Sequence, residues 1–200
     1  VRVWDVREKV QLCEFSGHKF AIECVCFSTS ANSSLLVSIG SIHDMVVNVW
    51  NFRTRFKVAS NKIACKVRGI SFSRDGTYFV TVGNRHVKFW YLTCSSPLET
   101  VPLRGRAAIL GEYKNNYFCD VVCGTDDYIQ YTYAITTNGI LCQFNENRCL
   151  SQTTDLRSER AYCLYADQNS LLVGCSNGNI HIFRQQNLEF ITSLPRPHYL

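Results

Sequence analysis

An imidazole, a hydroxyl and a carboxylate are the parts of a nucleophilic relay, and His18, Ser38 and Asp44 supply all three in the first quarter of the chain. A His–Asp pair can orient a serine for attack on an acyl group. No Gly-x-Ser-x-Gly turn is present, however, to lift a hydroxyl out of a sheet into the reach of a substrate. A second set, His43, Arg85 and His86, falls in polar stretches that read as turns, and these three are candidates for a partner-binding rim. His181 alternates within NIHIF and reads as a strand-face residue rather than a ligand. A third feature is basic: Arg53, Arg55, Lys57, Lys62, Lys66 and Arg68 form a stripe over 53–68 that could meet nucleic acid or an acidic partner. The plainer reading is a solvated edge strand, because lysine on an edge discourages pairing with other chains.

Other chemistry has little support. The chain carries no Gly-Lys-Ser/Thr phosphate loop, no H-E-x-x-H and no EF-hand loop, so no cofactor and no metal are expected. The eleven cysteines are odd in number and include no C-x-x-C pair. Cys24 and Cys26 share one face of a strand, a geometry that suits no bridge. They read as small apolar side chains in a reducing compartment. No apolar run reaches the ~18 residues of a membrane helix, and no basic-then-apolar leader opens the chain. The first hundred residues hold 13 Lys/Arg against 7 Asp/Glu and the second hundred 8 against 9, so the surplus charge sits with the stripe.

The elements that must position these residues repeat along the chain. VRVWDV, VNVWNF and VKFWYL are one short strand three times over, each carrying a tryptophan, and ILCQFN and IHIFRQ are weaker copies carrying phenylalanine. The anchors are Trp4, Trp50, Trp90, Phe144 and Phe183, spaced by 46, 40, 54 and 39 residues. Repeats of ~40–45 residues with four strands each build propeller blades. The long interval needs an insertion, which residues 93–116 supply. Within each unit, alternating strands are divided by turn residues: Ser73, Asp75 and Gly76 in one unit, Asn177-Gly178 in another. The pattern predicts an all-β, WD40-type β-propeller fragment of about four four-stranded antiparallel blades over 1–200. VQLCEFSGH, FKVASNK, ETVPLRG, LSQTTDL and LEFITSLPRP fit the outer fourth strands. The repeat opens partway through a unit, so the expected ring is incomplete and part of a larger protein.

Within this frame His18, Ser38, Asp44 and Trp50 take the places of a buried structural network, which outweighs the relay reading. Asp44 lies six residues before Trp50, and the later units carry Asn84, Asn138 and Asn177 at that offset. Only the unit of Trp50 has a Gly-His, so the other units are expected to rely on packing.

Beyond the generic repeat, HDMVVNVWNF, VASNKI, GTYFVTVGNRHVKFWYL, VPLRGRAAILGE, GILCQF and LPRPHYL resemble the first propeller of the mitogen-activated protein kinase-binding WD-repeat scaffold family, which includes the microcephaly-associated spindle-pole protein. The resemblance implies a cytoplasmic scaffold of the c-Jun N-terminal kinase pathway with places at the cytoskeleton, centrosomes and spindle poles. Its partners would be other proteins, signalling kinases and spindle components among them, held mostly by regions outside this chain. It implies a non-enzymatic protein-interaction module with no membrane or nucleic-acid partner. The alternatives are a propeller-fold enzyme and binding of nucleic acid or acidic partners through the 53–68 stripe.

Overall fold

The structure, a computed structural model, describes residues 1–30, 33–92, 100–157 and 160–194. The described residues form one two-stranded and four four-stranded antiparallel sheets, taken in chain order. The first is β1 (Arg2–Asp5) with β2 (Val10–Glu14). The second is β3 (Ile22–Phe27), β4 (Leu35–Gly40), β5 (Val46–Asn51) and β6 (Phe56–Lys62). The third is β7 (Val67–Phe72), β8 (Tyr78–Gly83), β9 (His86–Leu92) and β10 (Leu103–Ala107). The fourth is β11 (Phe118–Cys123), β12 (Thr132–Thr136), β13 (Ile140–Phe144) and β14 (Leu150–Asp155). The fifth is β15 (Ala161–Asp167), β16 (Ser170–Cys175), β17 (Ile180–Arg184) and β18 (Phe190–Leu194). Each sheet is a meander, and the first strands of successive sheets lie together, β3 on β7, β7 on β11 and β11 on β15, as blades around an axis. Among the described residues no helix is long and apolar enough to cross a membrane.

Stacking explains the residue pattern. The middle strands of a blade are covered on both faces, so β4, β5, β8 and β12 are almost wholly buried. Alternate residues then serve two different cores. Phe79 packs toward the second sheet, among Val37, Val49 and Val58, while Val80 and Val82 pack toward the fourth, among Phe118, Val121 and Phe144. Every buried anchor faces the preceding sheet: Trp50 meets Val3 and Phe15, Trp90 the second sheet, Phe144 the third and Phe183 the fourth. Burying a large aromatic contributes roughly 1.5–3 kcal/mol, so the anchors tie blade to blade. Trp4, in the two-stranded sheet, is 54% exposed, against 3% for Trp50 and 0% for Trp90. In four of the five units the register shifts at the anchor, as between Val49 and Trp50, which marks them as copies of one element.

The turn over Ser73–Gly76 forms as the residue types dictate. The Ser73 hydroxyl donates to the Asp75 carboxylate at 2.7 Å, and Gly76 takes a φ of 75°. The expected insertion is not all loop: β10 occupies part of it and a 3₁₀ turn, Gly111–Asn115, follows. Its stretch 93–99 and the residues 195–200 of the LPRPHYL string lie outside the described residues. The ten described cysteines are free thiols, four of them buried and only Cys163 exposed. Cys24 and Cys26 are half-buried against the core between the second and third sheets.

Candidate functional site

The relay trio is brought together, but inside the blade. His18 comes from the segment entering β3, Ser38 from β4, Asp44 from the turn before β5, and Trp50 from β5. Trp50 Nε1–H donates to Ser38 Oγ at 2.8 Å, and the Ser38 hydroxyl lies 2.7 Å from His18 Nε2. His18 Nδ1 meets the Asp44 carboxylate. With the proton on Nδ1, every donor in this chain has one acceptor. Gly17 makes the arrangement sterically open, since a Cβ there would stand 2.6 Å from a Trp50 ring carbon. Burial opposes ionisation of Asp44, yet the His18 hydrogen bond and the Lys19 amide outweigh it and hold the carboxyl below the usual range. Ser38 is 0% exposed, so no solvent-borne acyl group reaches its hydroxyl. The trio joins the segment before β3 to β4 and the turn before β5 inside the blade.

The rim residues separate. His43 is exposed, with its ring 5.9 Å from that of the exposed Phe20. Arg85 is exposed in a tight turn at a φ of 53°, and its amide donates to the Asn116 carbonyl at 2.9 Å. His86 does not join them. It turns inward, its Nε2 2.9 Å from Thr81 Oγ1, which also accepts Trp90 Nε1–H at 2.9 Å. Burial, with the Lys88 charge beside it, pushes the His86 pKa down to about 4, so the neutral ring accepts the Thr81 hydroxyl. The third sheet thus rebuilds an indole–hydroxyl–imidazole chain with a histidine from a different position, contrary to the expectation that units without a Gly-His rely on packing.

The basic stripe is dispersed, because the chain runs from the outer edge of one blade to the inner strand of the next. Arg55 donates to the Leu12 carbonyl at 3.0 Å, Lys57 lies 5.9 Å from the Trp50 ring centre, and Lys66 is ion-paired with Glu23 at 3.2 Å. Of the stripe, Arg68 alone lies within an inner strand, β7.

There the structure shows a feature absent from the sequence reading. All four inner strands carry a bulge at their second residue: Glu23 in β3, Arg68 in β7, Cys119 in β11 and Tyr162 in β15. A bulge leaves one residue unpaired and re-aims its side chain. Three of the four, Arg68, Cys119 and Tyr162, line one cleft of about 670 Å³ with Tyr117 and Thr137. Arg68 Nε–H donates to Tyr117 Oη at 2.5 Å, and its guanidinium lies 5.7 Å from the centre of that ring. Tyr162 is 55% exposed. Burial and the adjacent Asp120 push the Cys119 thiol up to about 12, so it is no nucleophile. The Arg85 turn adjoins this cleft, since Asn84 bridges to Tyr117. An arginine and tyrosines at the mouth of the axis have the composition of a protein-binding surface. Among the described residues no group of three His, Cys, Asp or Glu side chains is arranged to hold a metal ion.

Comparison with known proteins follows the same lines. The WD domain, G-beta repeat, matches residues 9–51 and 59–91. Over its full length the chain is 47% identical to WD repeat-containing protein 62 of Mus musculus and 46% identical to mitogen-activated protein kinase-binding protein 1 of the same organism. It spans 13% of the length of each. Among solved structures, the β-propeller domain of Myceliophteria thermophila Cps50 (Swd1) superposes with a TM-score of 0.76 over 96% of this chain and 64% of that one, at 15% identity.

Proposed function

Because this chain is WD-repeat propeller, related along its whole length to WD repeat-containing protein 62 and mitogen-activated protein kinase-binding protein 1, we propose that it is a non-enzymatic platform on which other proteins dock. The observation that carries this reading is the run of four bulged inner strands, which sets side chains of an interface type around one mouth of the axis. The rigid stacked sheets supply the scaffold and the bulges supply the contact residues.

The finer form of the proposal follows the relatives. A protein named for binding mitogen-activated protein kinase suggests signalling kinases as components gathered by the whole protein, including those of the c-Jun N-terminal kinase pathway. A cytoplasmic place, with sites at centrosomes and spindle poles, belongs to the same proposal. So does a larger ring: apolar Trp4, Val10 and Leu12 on one flank and Phe190, Ile191 and Leu194 on the other are exposed, and further blades would cover them.

Affinity purification of the full-length protein, and of the same protein lacking residues 1–200, tests the platform at several cell-cycle stages. The expected result is a defined set of proteins lost with the segment. Full retention of every partner without it would overturn the proposal.

A further inference from the structure

We propose that the Arg68–Tyr117–Tyr162 cleft receives a carboxylate side chain from an acidic segment of a partner protein. The inference rests on the platform reading above and names the chemistry of its contact. Arg68 projects from the bulge of β7 with its Nε–H engaged by Tyr117 Oη, which fixes the plane of the guanidinium. That single bond leaves the terminal Nη groups as a fork, and a fork of two parallel N–H donors matches a carboxylate.

No ion pair joins Arg68 to a carboxylate among the described residues. Two acids on the neighbouring inner strands, Glu23 in β3 and Asp120 in β11, are engaged by other groups. Glu23 is held by Lys66 at 3.2 Å, and Asp120 accepts the backbone amides of Leu164 at 2.8 Å and Val121 at 2.9 Å. The exposed Arg85 adds a second positive charge on the turn beside the cleft. The cleft therefore presents the Arg68 guanidinium beside an aromatic wall, Tyr162, that stays open to solvent. Nucleic acid would need a row of cations along its backbone. The stripe offers no such row, because Arg55 and Lys66 are engaged elsewhere and Arg68 stands at the axis. One oriented fork fits one carboxylate with flanking contacts from Tyr162 and Thr137.

Fluorescence anisotropy on the full-length protein tests this with three probes: fluorescein-labelled oligoglutamate, oligolysine of the same length, and single-stranded oligothymidylate. Oligoglutamate is expected to bind and oligolysine not to. Arg68→Gln should weaken oligoglutamate binding roughly tenfold, the loss of one charge-assisted contact. Arg68→Lys, which keeps the charge without the fork, should fall between. Tyr162→Ala, at an exposed ring, gives an independent variant and should weaken binding several-fold. Arg53→Gln with Lys57→Gln, at the blade edge, should leave it unchanged. Undiminished binding by Arg68→Gln and Tyr162→Ala overturns the proposal, as does binding lost only with the edge pair. Oligothymidylate that displaces oligoglutamate at equal or lower concentration also overturns it, in favour of nucleic acid. If these fail while partners are still lost on deletion of 1–200, the platform stands and only this contact falls.

Discussion

The second and third sheets solve the problem of a buried anchor differently from the fourth and fifth. In the first pair the anchor is tryptophan, and a hydroxyl from the second strand meets its indole: Ser38 under Trp50, Thr81 under Trp90. In the second pair the anchor is phenylalanine, and the corresponding positions are Ala134 and Val173, both fully buried. An indole N–H taken from water must find an acceptor, and a phenyl ring makes no such demand. The identity of one anchor atom thus decides the polarity of a position on the neighbouring strand. Polar bonds have not vanished from the later sheets but moved between them. Tyr133 Oη–H and Gln143 Nε2–H of the fourth sheet donate to the Gln185 carbonyl of the fifth at 2.8 and 3.0 Å. Around the anchors, the second and third sheets are therefore bonded internally, and the fourth is bonded to the fifth.

The sharpest break of this contrast is Ser38→Ala. It removes the one oxygen that joins Trp50 to His18, leaving the buried indole N–H unpaired and His18 Nε2 with only the Asn48 amide at 3.2 Å. At about 1–3 kcal/mol for an unpaired buried donor plus the lost His18 bond, the expected destabilisation is about 3 kcal/mol in chemical denaturation. A loss well under 1 kcal/mol would mean that the early blades stand on packing alone, as the later ones do.

A smaller effect tests whether one pattern converts to the other. Thr81→Val should cost about 1–3 kcal/mol, because Trp90 and His86 lose their shared partner. Adding Trp90→Phe removes the donor that needed it, so the double variant should be more stable than the sum of the single losses by about 0.5–3 kcal/mol. Strict additivity in the double-mutant cycle would show that indole and hydroxyl are not coupled.

The legible part of this structure is local in origin. Period-two alternation and the Ser73–Gly76 turn chemistry placed the strands, and the repeated aromatic placed the blades. The 40-residue spacing of Trp50 and Trp90 required no knowledge of the packing. The bulges at Glu23, Arg68, Cys119 and Tyr162 were silent because an extra unpaired residue changes register without changing composition. Arg68 was visible only as one member of a basic run, since nothing in 53–68 tells where the chain crosses from a blade's rim to the axis. His86 was assigned to the rim for its place in a polar turn. A side chain at the first residue of a strand can point to either face, and here the Thr81 hydroxyl decided it.

The slightest expected effect separates His86 from every other contributor by pH. Its pKa is about 4 in the folded chain, against about 6.5 when unfolded, because burial and the Lys88 charge disfavour the imidazolium. Between those values the unfolded chain binds more protons, so stability rises with pH and is fully present only above the unfolded value. Lowering the pH from 7 to 5.5 should therefore remove about 1 kcal/mol through this residue. Asp44 adds nothing over that window. Its folded carboxyl is held below the usual carboxylate range, so its contribution fails only in stronger acid. His86→Gln removes the titration, and thermal melts of the two proteins at both pH values should show a flatter slope for the variant. Equal slopes would mean that the ring is charged and solvated, and the third sheet would then lose its likeness to the second.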